Sequence, residues 1–289
     1  MSDVGLARDA ESVADALIEA ASLNRGDPNR VGNLLRFGSA GQLVLTGDMH
    51  GNIRNFEKLQ RFCALERSPG RNVILHELIH TEPDPVERAD ISIDLLIRAV
   101  EWKRKFPDNV YFLLSNHELS QWQGHEITKG GRSVLRDFER GVALRFGKGA
   151  DKVMQAVVAY IASLSLAAQS ANGVFVSHSL PDPLTIEYFD YTVFTRTLSD
   201  ADFRPGGPAY QVVWGRFHSP EVVDYFARRV GAKLCVCGHT PQESGYNVVG
   251  NLIILASDHA HGVLLPIDLH RPVALEEAVA SIRKFVAIE

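Results

Sequence analysis

The sequence predicts an α/β fold. Five short apolar runs of strand length recur along the chain, at residues 42–45, 72–75, 110–114, 173–176 and 233–237. Segments with apolar residues at helical spacing lie between them, and that alternation implies βαβ units. Each run is also followed within a few residues by an Asp, Glu, Asn or His.

The elements follow in order. Residues 9–22 place Val13, Ala16, Leu17 and Ala20 on one helical face, predicting an N-terminal helix before the turn-rich SLNRGDPNRVGN. The first strand, QLVL, feeds Thr-Gly-Asp48-Met-His50-Gly. Residues 53–64 then carry Ile53, Phe56, Leu59, Phe62 and Cys63 at helical spacing. The second strand, NVIL, runs into His76-Glu77-Leu-Ile-His80, and residues 87–105 read as the next helix. VYFLL feeds Ser-Asn116-His117-Glu118. Residues 150–168 are mostly apolar or small, predicting a helix buried on most sides. GVFV feeds Ser-His178-Ser, and KLCVC feeds Gly238-His239-Thr-Pro. Between these two, residues 179–218 are rich in Pro, Gly and aromatics and read as a long irregular insertion. The last two runs, 252–256 and 263–267, have no helix-length spacer, so they are expected to pair antiparallel.

Bulk properties bound the function. The 289 residues are 45% hydrophobic and 22% charged, an ordinary globular composition. A net charge of -5 gives no reason to expect nucleic acid, although it leaves room for a local phosphate pocket. The start of the chain is acidic and amphipathic, unlike a secretory signal, and no apolar run is long enough to span a membrane. The cysteines are Cys63, Cys235 and Cys237, an odd set that suits a reducing cytoplasm. Cys235 and Cys237 read as buried strand residues, with metal thiolates as the other reading.

In open α/β sheets ligands bind beyond the carboxyl ends of the strands. Five furnished strand ends would therefore converge on one place. Carboxylate, imidazole and carboxamide donors together suit Mn, Fe or Zn. The set exceeds what one tetrahedral zinc needs and fits two ions sharing a bridging carboxylate. Such a pair activates a bridging water and neutralises phosphoryl oxygens.

The segment HELIH, residues 76–80, matches a zinc-peptidase signature by letters. That chemistry needs both histidines on one face of a helix. Here a strand-like NVIL precedes it, and Pro83 and Pro85 would end a helix within a turn. A peptidase would also leave Asp48, His50, Asn116, His178 and His239 without a role. His125-Glu126 and Asp258-His259-Ala260-His261 hold ligand-type residues but read as polar turns. Trp102, Trp122 and Trp214 read as packing residues.

The blocks GDMHG (47–51), HELIHTEPD (76–84), SNHE (115–118), VSHS (176–179) and VCGHTP (236–241) resemble, in order, those of the calcineurin-like metallophosphoesterase superfamily. The likeness is nearest to its phosphoprotein phosphatase branch, of Ser/Thr phosphatases and dinucleoside tetraphosphatases, and covers roughly residues 42–268. It implies a four-layer α/β/β/α sandwich over residues 41–270, after a helical lead-in at 1–40 and before a helical tail at 271–289. By motif position, Asp48 and His50 would hold one metal, Glu77 would bridge, and Asn116, His178 and His239 would hold the second. His117 would be the general acid.

The second block departs from the family's Gly-Asp, then Asp-Arg-Gly. Glu77 stands where the bridging Asp is expected, and His80 where an Asp would orient the acid. Thr81 replaces an Arg that grips phosphate, and Arg216 is the candidate to supply that clamp. His76 reads as structural or as an extra ligand. The resemblance implies a phosphoric ester hydrolase with two divalent ions, acting on a phosphorylated protein, or else on a nucleotide or dinucleoside polyphosphate. A phosphate-binding protein without efficient turnover is one alternative, and a zinc peptidase acting through HELIH is another.

Overall fold

The computed structural model describes residues 9–289; residues 1–8 lie outside them. The chain opens with helix α1 (Ala10–Arg25), capped by the Asp9 carboxylate, which accepts from Ser12 N. Strands β1 (Arg30–Val31), β2 (Leu34–Phe37) and β3 (Gln42–Asp48) follow. Next come α2 (Ile53–Cys63), β4 (Arg71–His76), α3 (Ile93–Lys105), β5 (Val110–Leu113) and α4 (Asn116–Gln123). A small hairpin, β6 (Thr128–Lys129) and β7 (Arg132–Ser133), leads to α5 (Val134–Phe146) and α6 (Ala150–Ile161). Then run β8 (Ala167–Ser170), β9 (Val174–Ser177), α7 (Pro208–Trp214), α8 (Pro220–Val230) and β10 (Leu234–Cys237). The chain closes with β11 (Tyr246–Val249), β12 (Leu252–Leu255), β13 (Val263–Asp268), α9 (Leu275–Ser281) and β14 (Arg283–Lys284).

Two sheets hold these strands. One has the order β1-β2-β8-β9-β10-β12-β11, the other β14-β13-β3-β4-β5. Strand alternation gives each sheet two different faces. Leu43, Leu45 and Ile74 from one sheet pack with Val174, Val176, Leu234 and Val236 from the other, forming a core between the sheets. The intervening residues, Val44, Val73 and Leu75, turn outward to Leu17, Phe56 and Leu96 of the helices. Cys235 and Cys237 likewise face the helical layer, where burial pushes the Cys237 thiol up to about 12. The result is the α/β/β/α sandwich. Strands β3, β4 and β5 run parallel in their sheet, and β9, β10 and β12 run parallel in theirs.

Three expectations need correction. Runs 252–256 and 263–267 do not pair: β12 lies between β10 and β11, while β13 crosses to the other sheet and pairs antiparallel with β3. The hairpin partner of β12 is β11, joined through Gly250, with Tyr246 opposite Leu255. The helix expected over 150–168 ends at Ile161, because Ala167–Ser170 is taken up by parallel pairing with β2. The tail at 271–289 is α-helical only over Leu275–Ser281 and then adds an edge strand to β13. The insertion at 179–218 is mostly irregular, with short turns of helix and α7.

Candidate metal centre

The carboxyl ends of β3, β4, β5, β9 and β10 bring Asp48, Glu77, Asn116, His178 and His239 to one place. These five are buried, and His50 is half-buried beside them. Three donor groups form there: Asp48–His76–His178, His50–Glu77–His117 and Glu77–His178–His239.

The turns that carry these residues are unusual. Among the described residues, His50, Glu77, His80 and His239 have positive φ, at 40°, 53°, 68° and 67°. Left-handed backbone at a non-glycine residue costs energy and is held only by surrounding structure. That structure is visible here. Met49 and His50 donate their N–H groups to Glu77 O at 3.0 and 2.9 Å, and Gly51 donates to Leu78 O. The Glu118 carboxylate accepts from Leu78 N at 2.7 Å and is also hydrogen-bonded to the Ser115 hydroxyl. His239 N donates to Asp48 Oδ1 at 2.9 Å. Gly238 is required at its position, since a Cβ there would overlap Asp48 Oδ1 and come within 2.8 Å of the His76 ring.

Hydrogen bonds fix the ring tautomers. His76 Nε2 donates to Thr46 O at 2.8 Å. Burial holds His76 below its ordinary value, so the ring is neutral and its Nδ1 accepts. It accepts from His178 Nδ1 at 2.8 Å. Burial, with His239 and His76 nearby, keeps His178 neutral too. His178 Nε2 is then a bare lone pair, 2.7 Å from Asn116 Oδ1 and 3.0 Å from Glu77 Oε2. His239 Nδ1 lies 2.9 Å from the same Asn116 oxygen. Glu77 Oε2 has no hydrogen-bond partner. Acceptors crowded this closely need protons or a cation between them.

Glu77 points the same way. Its pKa is raised well above the usual carboxylate range, first by burial and then by Asp48 and Glu118. Burial likewise lifts Glu118 to about 7. A divalent ion would reverse this logic by favouring the ionised carboxylates. The donor set therefore fits hard or borderline divalent metals.

His80 and His117 lie Nδ1 to Nδ1 at 2.8 Å. The far nitrogen of His80 donates to Gln121 Oε1 at 2.9 Å. His80 is neutral, pushed down to about 3 by burial, so its Nδ1 accepts from His117. His117 Nε2 is thereby left facing the site, 3.4 Å from Glu77 Oε1.

Arg216 reaches the same place from the insertion. Its guanidinium lies 3.5 Å from His239 O, and Asp182 pins the loop by accepting from Arg216 N and Phe217 N. His125 and Glu126 join none of the donor groups. The Asp258–His261 turn is held by Asn52 and Asn55 of the α2 N-terminus, through the Asp258, Ser257 and His259 carbonyls. Residues 76–80 are strand end and loop, and His76 and His80 have separate partners. That geometry lacks the helix a zinc peptidase needs.

Motif matching assigned no role to Glu118 or Gln121. Gln121 stands one helical turn from His117 on α4, a spacing that puts both on one face. The Glu118 contact depends on a loop fold that spacing does not encode.

The model of the calcineurin-like phosphoesterase family matches residues 41–243. The chain belongs to that family. It is therefore a metallophosphoesterase, a hydrolase of phosphoric esters. No curated protein matches it in sequence. Among solved structures it is similar to a protein serine/threonine phosphatase from Saccharomyces cerevisiae, at 16% identity and a TM-score of 0.67 over 90% of this chain and 83% of that one. It is also similar to the cold-active protein-tyrosine phosphatase of a psychrophilic Shewanella species, at 16% identity and a TM-score of 0.55 over 86% and 80% of the two chains. These likenesses show the fold. No helix among the described residues is long and apolar enough to cross a membrane.

Proposed function

We propose that this metallophosphoesterase is a phosphatase with a dinuclear centre, acting on phosphoproteins. The placement of Glu77 carries the reading. Its Oε1 faces His50 at 3.7 Å and His117 at 3.4 Å, while its Oε2 faces His178 at 3.0 Å. One carboxylate thus belongs to two donor groups, as a bridging ligand must. Asp48 and His50 would hold the first ion with Glu77; Asn116, His178 and His239 would hold the second. Bound divalent ions would draw charge from the phosphoryl oxygens and lower the pKa of a nucleophilic water.

The chain's own residues supply the rest. His76 turns the His178 ring so that Nε2 faces the site. His80 turns His117 so that its Nε2 can carry a proton to the leaving oxygen. Arg216 extends a guanidinium toward the phosphoryl oxygens. A phosphoprotein substrate is supported by the open rim of the insertion, where Tyr188 and Phe217 are exposed. The buried free thiols suit a reducing cytoplasm.

Protein purified without chelator should carry about two metal ions per chain by mass spectrometry. Loaded with Mn, it should hydrolyse p-nitrophenyl phosphate, and Asp48→Asn or His117→Ala should abolish that activity. Metal-replete protein that binds phosphate without turnover would make it a pseudo-phosphatase. A ratio of one zinc per chain would remove the bridging role of Glu77.

A further inference from the structure

The geometry points to Gln121 as a positioning residue for the acid step. Its side-chain oxygen fixes the tautomer of His80, so that the neutral Gln121–His80 pair does for His117 what a carboxylate would do alone. This role rests on the phosphatase reading above and names a further residue of the same site.

A general acid gives up a proton from one ring nitrogen while the other keeps its own. His117 Nδ1 must therefore stay a donor, and the atom facing it must be an acceptor. A carboxylate always accepts, but an imidazole nitrogen accepts only when the ring proton sits on its other nitrogen. The atom facing His117 Nδ1 is His80 Nδ1, at 2.8 Å. The tautomer of His80 thus decides whether the two rings attract or two N–H groups collide.

Gln121 makes that choice. Its Oε1 lies 2.9 Å from His80 Nε2 and can only accept, which places the His80 proton on Nε2. With the amide reversed, its NH2 would donate to Nε2 and drive the proton to Nδ1, against His117. Gln121, His80 and His117 are only 6%, 1% and 6% exposed, so side chains rather than bulk water must satisfy these atoms. Phe138 packs against the same His80 ring, with centroids 5.5 Å apart, and offers it no competing acceptor.

Both ends of the chain Gln121–His80–His117 are anchored. Gln121 and His117 share α4, which is capped by the Ser115 hydroxyl and closed by left-handed Gly124. His80 N donates to Ser92 Oγ at 2.9 Å, and Ser92 N donates to Asp90 Oδ1 at 2.7 Å, which secures the left-handed backbone at His80.

The test uses full-length, Mn-loaded protein and two esters. Phenyl phosphate has a leaving group that needs a proton, and dinitrophenyl phosphate has one that departs without it. In Gln121→Met, kcat for phenyl phosphate should fall about tenfold further than kcat for dinitrophenyl phosphate. In a His80→Asp background the same substitution should change that ratio by less than about twofold, because a carboxylate has no tautomer to fix. An equal change in both backgrounds would reduce Gln121 to packing and overturn the assignment, as would no change in either. Nitrogen NMR of the zinc-loaded wild type should show the His80 ring proton, identified by its loss in His80→Asp, on Nε2; Gln121→Met should lose that preference. A proton on Nδ1 in the wild type would overturn the assignment even if Gln121→Met does not fold. Wild-type protein inactive on both esters would instead refute the phosphatase reading, and the NMR spectra would still decide whether Gln121 sets the tautomer.

Discussion

At the residue scale, the most informative departure is the imidazole pair at His80 and His117. A neutral imidazole accepts a hydrogen bond but stabilises an imidazolium less than a carboxylate does. His80→Asp should therefore raise the pH at which His117 loses its proton. The alkaline limb of the kcat–pH profile should move up by about one unit. Aspartate tolerates the left-handed backbone at that position better than most residues. A limb that stays put would count against His117 as the acid. A second titration lies away from the ligands. Asp90 is fully buried, its Oδ2 has no partner, and burial raises it to about 6 from 3.8. Its folded value exceeds its unfolded one, so its contribution is intact below 3.8 and is lost as pH rises through about 6. The melting temperature of Asp90→Asn relative to wild type should thus improve between pH 4 and 7.5. The ceiling on that gain is about 3 kcal/mol. A constant difference across that range would show that Asp90 stays uncharged or hydrated.

At the scale of elements, the strand ends were legible because their turn chemistry is local. Gly47 and Gly51 around Asp48, and Gly238 before His239, mark turns at which backbone passes close to other groups. The pairing of β12 was not legible, since nothing in 252–267 says that β11 and β10 already occupy both its edges. Strand β8 was hidden for the same reason: its small residues, Ala167 and Ala168, suit a helix until β2 lies alongside. The attachment of α3 to the N-terminal segment offers a test of packing. Lys103 is buried and meets Asp27 at 3.2 Å, with Pro107 O at 2.7 Å as a further acceptor. Asp27→Asn would leave a buried ammonium without its counter-charge. It should lower stability by about 3–5 kcal/mol in urea unfolding. A loss under 1 kcal/mol would mean that water reaches Lys103.

At the scale of the whole molecule, the candidate site takes Asp48, Glu77 and Asn116 from one sheet and His178 and His239 from the other. Ser257 ties the same junction, donating its N–H to Asp48 O at 3.1 Å and accepting from Gly47 N at 2.9 Å. A ligand that binds only the folded form stabilises it, by about 2.7 kcal/mol at a hundredfold excess over Kd. Adding Mn to chelator-treated protein should therefore raise the melting temperature, and Asp48→Asn should abolish the rise. An unchanged melting temperature in the wild type would argue that no ion binds between the layers. Because the donors straddle both sheets, cation loading should act as a clasp. Amide hydrogens in β4 and in β10, far apart in the chain, should slow their exchange together on loading, and in the empty protein either half could breathe alone.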